Sequence, residues 1–167
     1  IEWIGEIPEH WEVRRLKYTV DINKITLPEN TDEEYVIQYI DIGNVNEDGL
    51  INSPEIMKFK DAPSRARRVL KQGNTIISTV RTYLKAVAFI AHNARNLIAS
   101  TGFAALNPNK QIDPKYLFYL ISNRYFIDKV SSLSVGVSYP AINSSELAHI
   151  PVCFPRTILE QLQIIEH

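Results

Sequence analysis

The first two thirds of the chain contain several short apolar runs that are rich in β-branched and aromatic residues. The clearest run covers residues 35–42, and residues 75–80 and 86–91 repeat the pattern, with Gly, Asn or Pro nearby. β-Branched and aromatic side chains pack well on a pleated surface, whereas Gly, Asn and Pro favour turns. The sequence therefore predicts a body of short buried strands, with a further strand pair over 97–106 around Gly102.

Helical signals are concentrated in the last third of the chain. Asp113 can cap a helix and Pro114 suits its first turn, and Leu117, Leu120 and Ile121 follow at helical spacing. These signals predict a helix that runs to about residue 130. The remaining expected elements are a weak amphipathic segment over 12–20, a loop over 23–34, a turn or short helix over 63–70, a hairpin-like loop over 81–85, a capped turn over 143–147, a strand over 149–154 and an amphipathic helix from 158.

Charge is distributed in two blocks of opposite sign. Residues 21–61 hold ten carboxylates against three lysines, whereas the fifty-one residues 62–112 hold eight Lys or Arg and no Asp or Glu. The net charge is only −1, so the total hides this separation. A long cationic block interspersed with Ser, Thr, Asn and Tyr suits a phosphate backbone. The alternative is a solvated basic face without a ligand.

Length and composition place few limits on function. The 167 residues fit one domain, or one domain plus an appended element, and 45% of them are hydrophobic. No apolar run reaches the roughly 18 residues of a membrane span. Cys153 is the single cysteine and sits in an apolar run, so we expect a buried structural thiol and a protein of the reducing cytoplasm.

Motifs for catalysis are absent from the sequence. It contains no Gly-x-Gly-x-x-Gly, no Gly-Lys-Ser/Thr loop, no Asn/Asp-Pro-Pro-aromatic tetrapeptide of amino-methyltransferases and no Gly-x-Ser-x-Gly. The four histidines share no metal-ligand spacing. Asp113-Pro-Lys superficially resembles the end of a nuclease motif, but the preceding fifty-one residues contain no acid to complete it. We therefore expect no catalytic centre; the alternatives are a nuclease or methyltransferase fragment, or a protein-binding assembly module.

Five segments form an ordered series along almost the entire chain. They are Trp-Ile-Gly-Glu-Ile-Pro-Glu-His-Trp-Glu over 3–12, Tyr-Ile-Asp-Ile-Gly-Asn over 39–44 with Asp-Gly-Leu-Ile over 48–51, Arg-Val-Leu-Lys-Gln-Gly-Asn-Thr-Ile-Ile-Ser over 68–78, a Pro, Tyr-Leu, Tyr pattern over 114–120, and residues 142–155 followed by Glu160, Gln161 and Ile164. In this order they resemble a target recognition domain of the specificity (S) subunit of type I restriction–modification systems.

The resemblance implies an α+β fold: a twisted, irregular β-rich body with helices packed at one end. It implies a recognition domain over 1–155 and the start of a long conserved coiled-coil helix over 156–167. A complete S subunit has two such domains separated by two long paired helices. The chain could therefore be a first or second domain, or part of a half-length subunit that dimerises.

The resemblance also implies a non-catalytic role, in which each domain reads one half of a split double-stranded DNA target. Expected partners are double-stranded DNA, the methyltransferase (M) and restriction (R) subunits, and a second recognition domain in the same chain or a dimer mate; no membrane is expected. No cofactor is expected in this chain, because S-adenosylmethionine, ATP and Mg would be bound by the partner subunits.

Three groups of residues are candidates for contact with DNA, and each has a structural alternative. A loop between two apolar strands should be presented rigidly, and Arg can bond guanine bidentately; its alternative is a hairpin tip with incidental charge. This first group is Arg81, Thr82, Tyr83 and Lys85, and Ser78 and Thr79 near the end of the preceding strand are further candidates. A second group could fix register on phosphates, or could instead pair with Glu33, Glu34 or Asp61. It comprises Arg65, Arg67, Arg68 and Lys71.

The third group surrounds Gly136 and could reach adenine edges or phosphates, or could simply turn the chain into the last strand. It comprises Ser138, Tyr139 and Asn143. Trp3 and Trp11 are expected to pack, and Asn44 and Asn46 to form turns. An apolar stripe on the last helix should bury against a missing helix or an M subunit; its residues are Ile158, Leu159, Leu162 and Ile165.

Overall fold

The structure is a computed structural model and describes residues 6–46, 48–93 and 95–166. These residues contain ten β-strands and four α-helices. The strands are β1 Trp11–Arg15, β2 Val20–Ile22, β3 Val36–Ile40, β4 Glu55–Lys58, β5 Ala66–Val69, β6 Thr75–Ser78, β7 Val87–Phe89, β8 Leu97–Ser100, β9 Phe103–Pro108 and β10 Pro151–Pro155. The helices are α1 Pro114–Ser122, α2 Arg124–Leu133, α3 Ser144–His149 and α4 Ile158–Ile165.

The strands form two four-stranded sheets and a two-stranded ribbon. One sheet has the order β2-β9-β6-β7 and is antiparallel throughout. The other has the order β4-β3-β8-β5 and contains one parallel pair, β3 with β8. The ribbon pairs β1 with β10, so that the beginning and the end of the domain are joined by backbone hydrogen bonds.

The sheet containing β6 is buried on both faces. Ile77 belongs to a core cluster that includes helical residues such as Leu117 and Ile121, whereas its neighbour Ile76 belongs to a second cluster with Ile40 and other residues of the second sheet. Successive side chains of a strand point to opposite faces, so this alternation places the sheet between the helices and the other sheet. The α+β fold with helices on one side is therefore confirmed.

Two segments predicted without strand character are strands. Residues 12–20 were expected to be amphipathic but form β1, a single 3-10 turn and the start of β2. Residues 63–70 were expected to form a turn or short helix but contain β5, which pairs with β8 across an irregularity between Ala66 and Arg68. Pairing with distant strands overrides weak local preference in both places.

The predicted helix over 113–130 is two helices. Asn123 is extended, with φ −62° and ψ 138°, and its side chain accepts a hydrogen bond from the backbone N–H of Tyr125 to cap α2. At the start of α1, Asp113 caps the helix and Pro114 occupies its first turn, as predicted. Residues 97–106 contain two strands, as expected, but β8 and β9 do not pair with each other and belong to different sheets.

Hydrogen bonds of two neighbouring side chains, Glu160 and Gln161, attach α4 to the rest of the domain. Gln161 is fully buried and its amide bonds to three backbone groups, while Glu160 accepts hydrogen bonds from His10 Nε2 and Trp11 Nε1, both at 2.9 Å. These two bonds, from His10 first, lower the pKa of the Glu160 carboxyl. Trp11 is thus half-buried in a packing role, whereas Trp3 lies outside the described residues.

Cys153 lies on β10 with a buried, free thiol, and burial raises its pKa. This agrees with the structural role expected for it. None of the helices in the described ranges is long and apolar enough to cross a membrane.

Candidate nucleic-acid interface

Two loops that are about fifty residues apart in sequence meet at one end of the domain. Val80 forms a β-bridge with Ala141, and Val135 forms another with the same residue. The Thr79 carbonyl accepts a hydrogen bond from the Ile142 N–H at 2.9 Å. Residues 81–85 therefore lie beside the small hairpin 135–141. The exposed residues of these segments, Arg81, Tyr83, Leu84, Lys85 and 135–139, are termed the paired-loop surface.

The backbone of the first loop is held in an uncommon conformation. Arg81 (φ 50°, ψ 48°) and Lys85 (φ 51°, ψ 30°) are both left-handed, and they flank a single 3-10 turn over Thr82–Leu84. This region costs a non-glycine residue about 1–2 kcal/mol, so the surroundings must hold the loop in place. Thr82 provides one such anchor, because its buried Oγ1 lies 2.9 Å from Ser134 Oγ.

Arg81 and Tyr139 bring the two loops into side-chain contact. The Arg81 guanidinium carbon lies 4.9 Å from the centre of the Tyr139 ring, in the geometry of a cation–π interaction. Among the described residues, neither the Arg81 guanidinium nor the Lys85 ammonium has an ion pair or a side-chain hydrogen bond. Both cations are exposed and keep their donors available for a ligand.

The hairpin 135–141 exposes apolar side chains that sequence reasoning missed. Val135 is 76% exposed and Val137 is fully exposed, beside Tyr139 and Tyr83. Gly136 has φ +122°, and a Cβ there would lie 3.0 Å from the Tyr139 carbonyl oxygen, so the tight hairpin requires glycine. A signal was present in the sequence, because two valines without strand neighbours flank the glycine of a Ser-rich loop.

The side chains of four predicted DNA-contacting residues form hydrogen bonds within the domain. Ser78 Oγ donates to the Val80 carbonyl, Thr79 Oγ1 donates to the Gly102 carbonyl at 3.0 Å, and Thr82 bonds as described above. All three are buried. Asn143 caps α3 by accepting from the Glu146 N–H at 2.8 Å. Ser78, Thr79 and Thr82 thus have their side chains buried within the domain, whereas Asn143 is exposed; their contact with DNA stays a prediction.

The cations of residues 65–71 have different surroundings within the domain. Arg65 forms an ion pair with Asp41 and donates to Tyr39 Oη at 3.1 Å, and the bond to Asp41 raises its pKa. Arg67 donates to the carbonyls of Ser64 and Pro28, both at 3.1 Å, and lies over the Phe59 ring. Arg65 and Arg67 are thus held by contacts within the domain, and their role as phosphate contacts stays a prediction.

Arg68 and Lys71 differ in their surroundings, since Arg68 is partly buried and Lys71 is exposed. Burial lowers the pKa of Arg68, whose Nε is enclosed without a hydrogen-bond partner in the described structure. Lys71 is exposed before the start of β6, whereas Arg81 follows the end of β6. The alternative in which these cations pair within the acidic block 21–61 is met by Arg65, although its partner is Asp41 and not Glu33, Glu34 or Asp61; Glu34 binds Lys58 and Lys60.

The last helix leaves most of its predicted apolar stripe exposed. Ile158, Leu159 and Leu162 are exposed, with Leu159 at 69%. Ile165 instead packs against the main core, which corrects its place in the predicted interface, and Ile164 is exposed although it was not predicted. Beside the helix lies an apolar groove of about 400 Å³, lined by aromatic residues that include Trp11, Tyr116 and Phe126.

The described part of the chain contains no cluster of potential metal ligands. Within residues 6–46, 48–93 and 95–166, no three His, Cys, Asp or Glu side chains are close enough to hold an ion. The exposed functional groups of the paired-loop surface are donors, aromatic rings and aliphatic side chains, which suit binding.

Comparisons with known proteins agree with this picture. Residues 8–167 match the model of the type I restriction modification DNA specificity domain. The type I restriction enzyme MjaVIII specificity subunit of Methanocaldococcus jannaschii is 26% identical, over 98% of this chain and 41% of that protein. The HindI specificity subunit of Haemophilus influenzae is 28% identical, over 71% of this chain and 26% of that protein.

The fold is shared with a solved structure of the same kind. The HsdS subunit from Thermoanaerobacter tengcongensis superposes with a TM-score of 0.84 at 28% identity, over 96% of this chain and 41% of that one. This chain thus spans about two fifths of the length of that subunit and of the M. jannaschii relative. With its two sheets, its paired loops and a family match from residue 8 onward, the chain belongs to the type I restriction modification DNA specificity domain family.

Proposed function

We propose that this chain recognises one half of a split double-stranded DNA target, as one domain of a longer specificity subunit, and catalyses no reaction itself. The observation that carries the proposal is the paired-loop surface. Arg81 and Lys85 project there with free donors, among exposed aromatic and aliphatic side chains. Cations attract the phosphate backbone without regard to sequence, whereas donors and apolar groups at base edges read it.

The shape of the surface favours a groove over a flat partner. The major groove of B-DNA is about 12 Å wide and admits a helix or a two-stranded ribbon. The hairpin 135–141 is shorter than such a ribbon, being closed by a single bridge with hydrogen bonds between Val135 and Ala141 at 2.9 and 3.0 Å, and it is the element of this surface that would enter the groove. Lys85 can then contact a phosphate as a point charge while the hairpin enters the groove.

The exposed stripe of the last helix supports a second part of the proposal. Helix α4, Ile158–Ile165, is the start of a long helix whose apolar side, at Ile158, Leu159 and Leu162, packs on another helix of the subunit or on an M subunit. A second recognition domain, in the same chain or in a dimer mate, reads the other half-site. S-adenosylmethionine, ATP and Mg are bound by M and R subunits in the cytoplasm, and not by this domain.

The test is a selection with the full-length protein that carries this chain. It is incubated with a pool of randomised duplexes, and the retained duplexes are sequenced after several rounds. Enrichment of a short shared motif is expected, because base contacts discriminate between sequences. Retention without any shared motif would contradict the proposal, and so would cleavage of duplex with Mg²⁺ or calorimetric binding of S-adenosylmethionine by this subunit alone.

A further inference from the structure

We propose that Arg81, positioned by Tyr139, reads a guanine in the major groove and so determines one base of the half-site. This inference rests on the proposed function and assigns its chemistry to particular atoms. Arg81 lies with its guanidinium carbon 4.9 Å from the ring centre, and no described acidic side chain pairs with it. Among the described residues no acceptor forms a hydrogen bond with the guanidinium, so its N–H donors remain available to a base.

Guanine is the base that matches those donors. Its major-groove edge carries two acceptors, O6 and N7, which a guanidinium can bind with two parallel hydrogen bonds. Adenine offers one acceptor and one donor on the same edge, so one N–H of the guanidinium would face an N–H of the base. Cytosine offers a donor there, and thymine one acceptor beside a methyl group.

The surroundings of Arg81 favour a base over a phosphate. Arg can also bind phosphate with two bonds, but phosphate contact requires neither a fixed direction nor apolar neighbours. Here the left-handed backbone fixes where the side chain begins, and Tyr139 restricts where it ends. Val137 and Tyr83 are exposed on the same two loops, and their side chains suit base edges and sugars and have no partner on a phosphate.

Tyr139 is a positioning residue in this proposal. A free Arg side chain has about 2 kcal/mol of rotamer entropy to lose on binding, and contact with the ring removes part of that freedom in advance. The ring can do so because its own hairpin is closed by the Val135–Ala141 bridge and by the tight turn at Gly136. The two loops therefore act as one unit, in which one loop supplies the donors and the other supplies their direction.

The experiment uses the full-length protein and the duplex motif that it selects. Each guanine of the motif is replaced in turn by 7-deazaguanine, which lacks N7, and in a matched duplex by hypoxanthine, which keeps O6 and N7 and loses only the minor-groove amino group. At one position the unmodified protein should lose about 5- to 150-fold in affinity with 7-deazaguanine and little with hypoxanthine. Arg81→Ala should lose the same factor on the natural motif and become insensitive to that replacement.

Two Tyr139 variants test the positioning role. Tyr139→Phe keeps the ring and should retain sensitivity to 7-deazaguanine, whereas Tyr139→Ala should lose most of it while the circular dichroism spectrum stays unchanged. Equal losses of Arg81→Ala on all sequences, with sensitivity to 7-deazaguanine intact, would overturn the inference and leave the proposed function standing. If the unmodified protein selects no duplex, that result contradicts both the proposed function and this inference.

Discussion

Gln161 is expected to carry an unusually large share of the stability of the domain for a polar residue. Its side chain is fully buried on α4. Its Oε1 accepts from the Asp113 N–H at 2.7 Å, and its Nε2 donates to the Gln111 and Pro155 carbonyls at 3.0 and 2.9 Å. These three bonds attach α4 to the turn before α1 and to the end of β10. Replacing Gln161 with Leu keeps the approximate volume and removes all three.

The magnitude follows from the backbone groups left behind. Each lost hydrogen bond costs about 1 kcal/mol net, and a buried N–H or C=O left without a partner costs about 1–3 kcal/mol. Gln161→Leu should therefore lower the free energy of unfolding by about 3–5 kcal/mol, a large fraction of the roughly 5–15 kcal/mol typical of a domain.

Urea unfolding followed by tryptophan fluorescence measures this loss directly. Gln163 is the matched control, because it lies on the same helix and is exposed. Gln163→Leu should change the free energy of unfolding by no more than about 0.5 kcal/mol. A loss below about 1 kcal/mol for Gln161→Leu would refute the reasoning, since it would mean that the last helix is not fastened by this amide.

Three further perturbations have definite expected outcomes. Gly49→Ala should destabilise the domain by about 2 kcal/mol or more, because Gly49 has φ +74° and a Cβ would lie 2.7 Å from a backbone oxygen of β7. The control is Gly43→Ala, since a Cβ on Gly43 would meet nothing within 4 Å; this variant should cost less than about 1 kcal/mol in the same urea assay. Asn143→Ala should cost about 1 kcal/mol through loss of the α3 cap and leave the affinity for duplex unchanged; a selective loss of affinity would place this residue on the DNA surface. The pKa of Glu160 is lowered by folding, so its contribution to stability is present above its ordinary pKa of 4.5 and is lost as pH falls through the lowered value. Glu160→Gln should accordingly flatten the acid limb of the curve of stability against pH, and an unchanged limb would contradict the assignment.

Elements buried on both faces, or capped by their own side chains, could be predicted from the sequence. β6 is an example, because Ile76 and Ile77 are apolar toward opposite layers, and α1 is another, because Asp113 and Pro114 mark its start locally. β1 could not be predicted, since its partner is β10, some 140 residues further along the chain. Local preference carries no information about such a pairing.

The candidate site shows the same division. The sequence identified the loop of Arg81 and the loop of Tyr139 separately, but it gave no sign that they touch. It also overstated the cationic block. Arg65 precedes β5 and pairs with an aspartate, whereas on β5 itself Arg67 lies over a phenyl ring and Arg68 is partly buried. Charge counted along a chain becomes a charged surface only where the fold keeps the side chains together.

The most direct test of the account compares two sets of cation variants in one binding measurement. The full-length protein is titrated with its selected duplex as wild type, as Arg81→Ala/Lys85→Ala, and as Lys71→Ala. Lys71 is exposed near the opposite end of β6 and belongs to the same carboxylate-free stretch. The paired-loop account predicts at least a tenfold loss for the double variant and a change within about twofold for Lys71→Ala. Equal losses in the two, or a larger loss for Lys71→Ala, would contradict it.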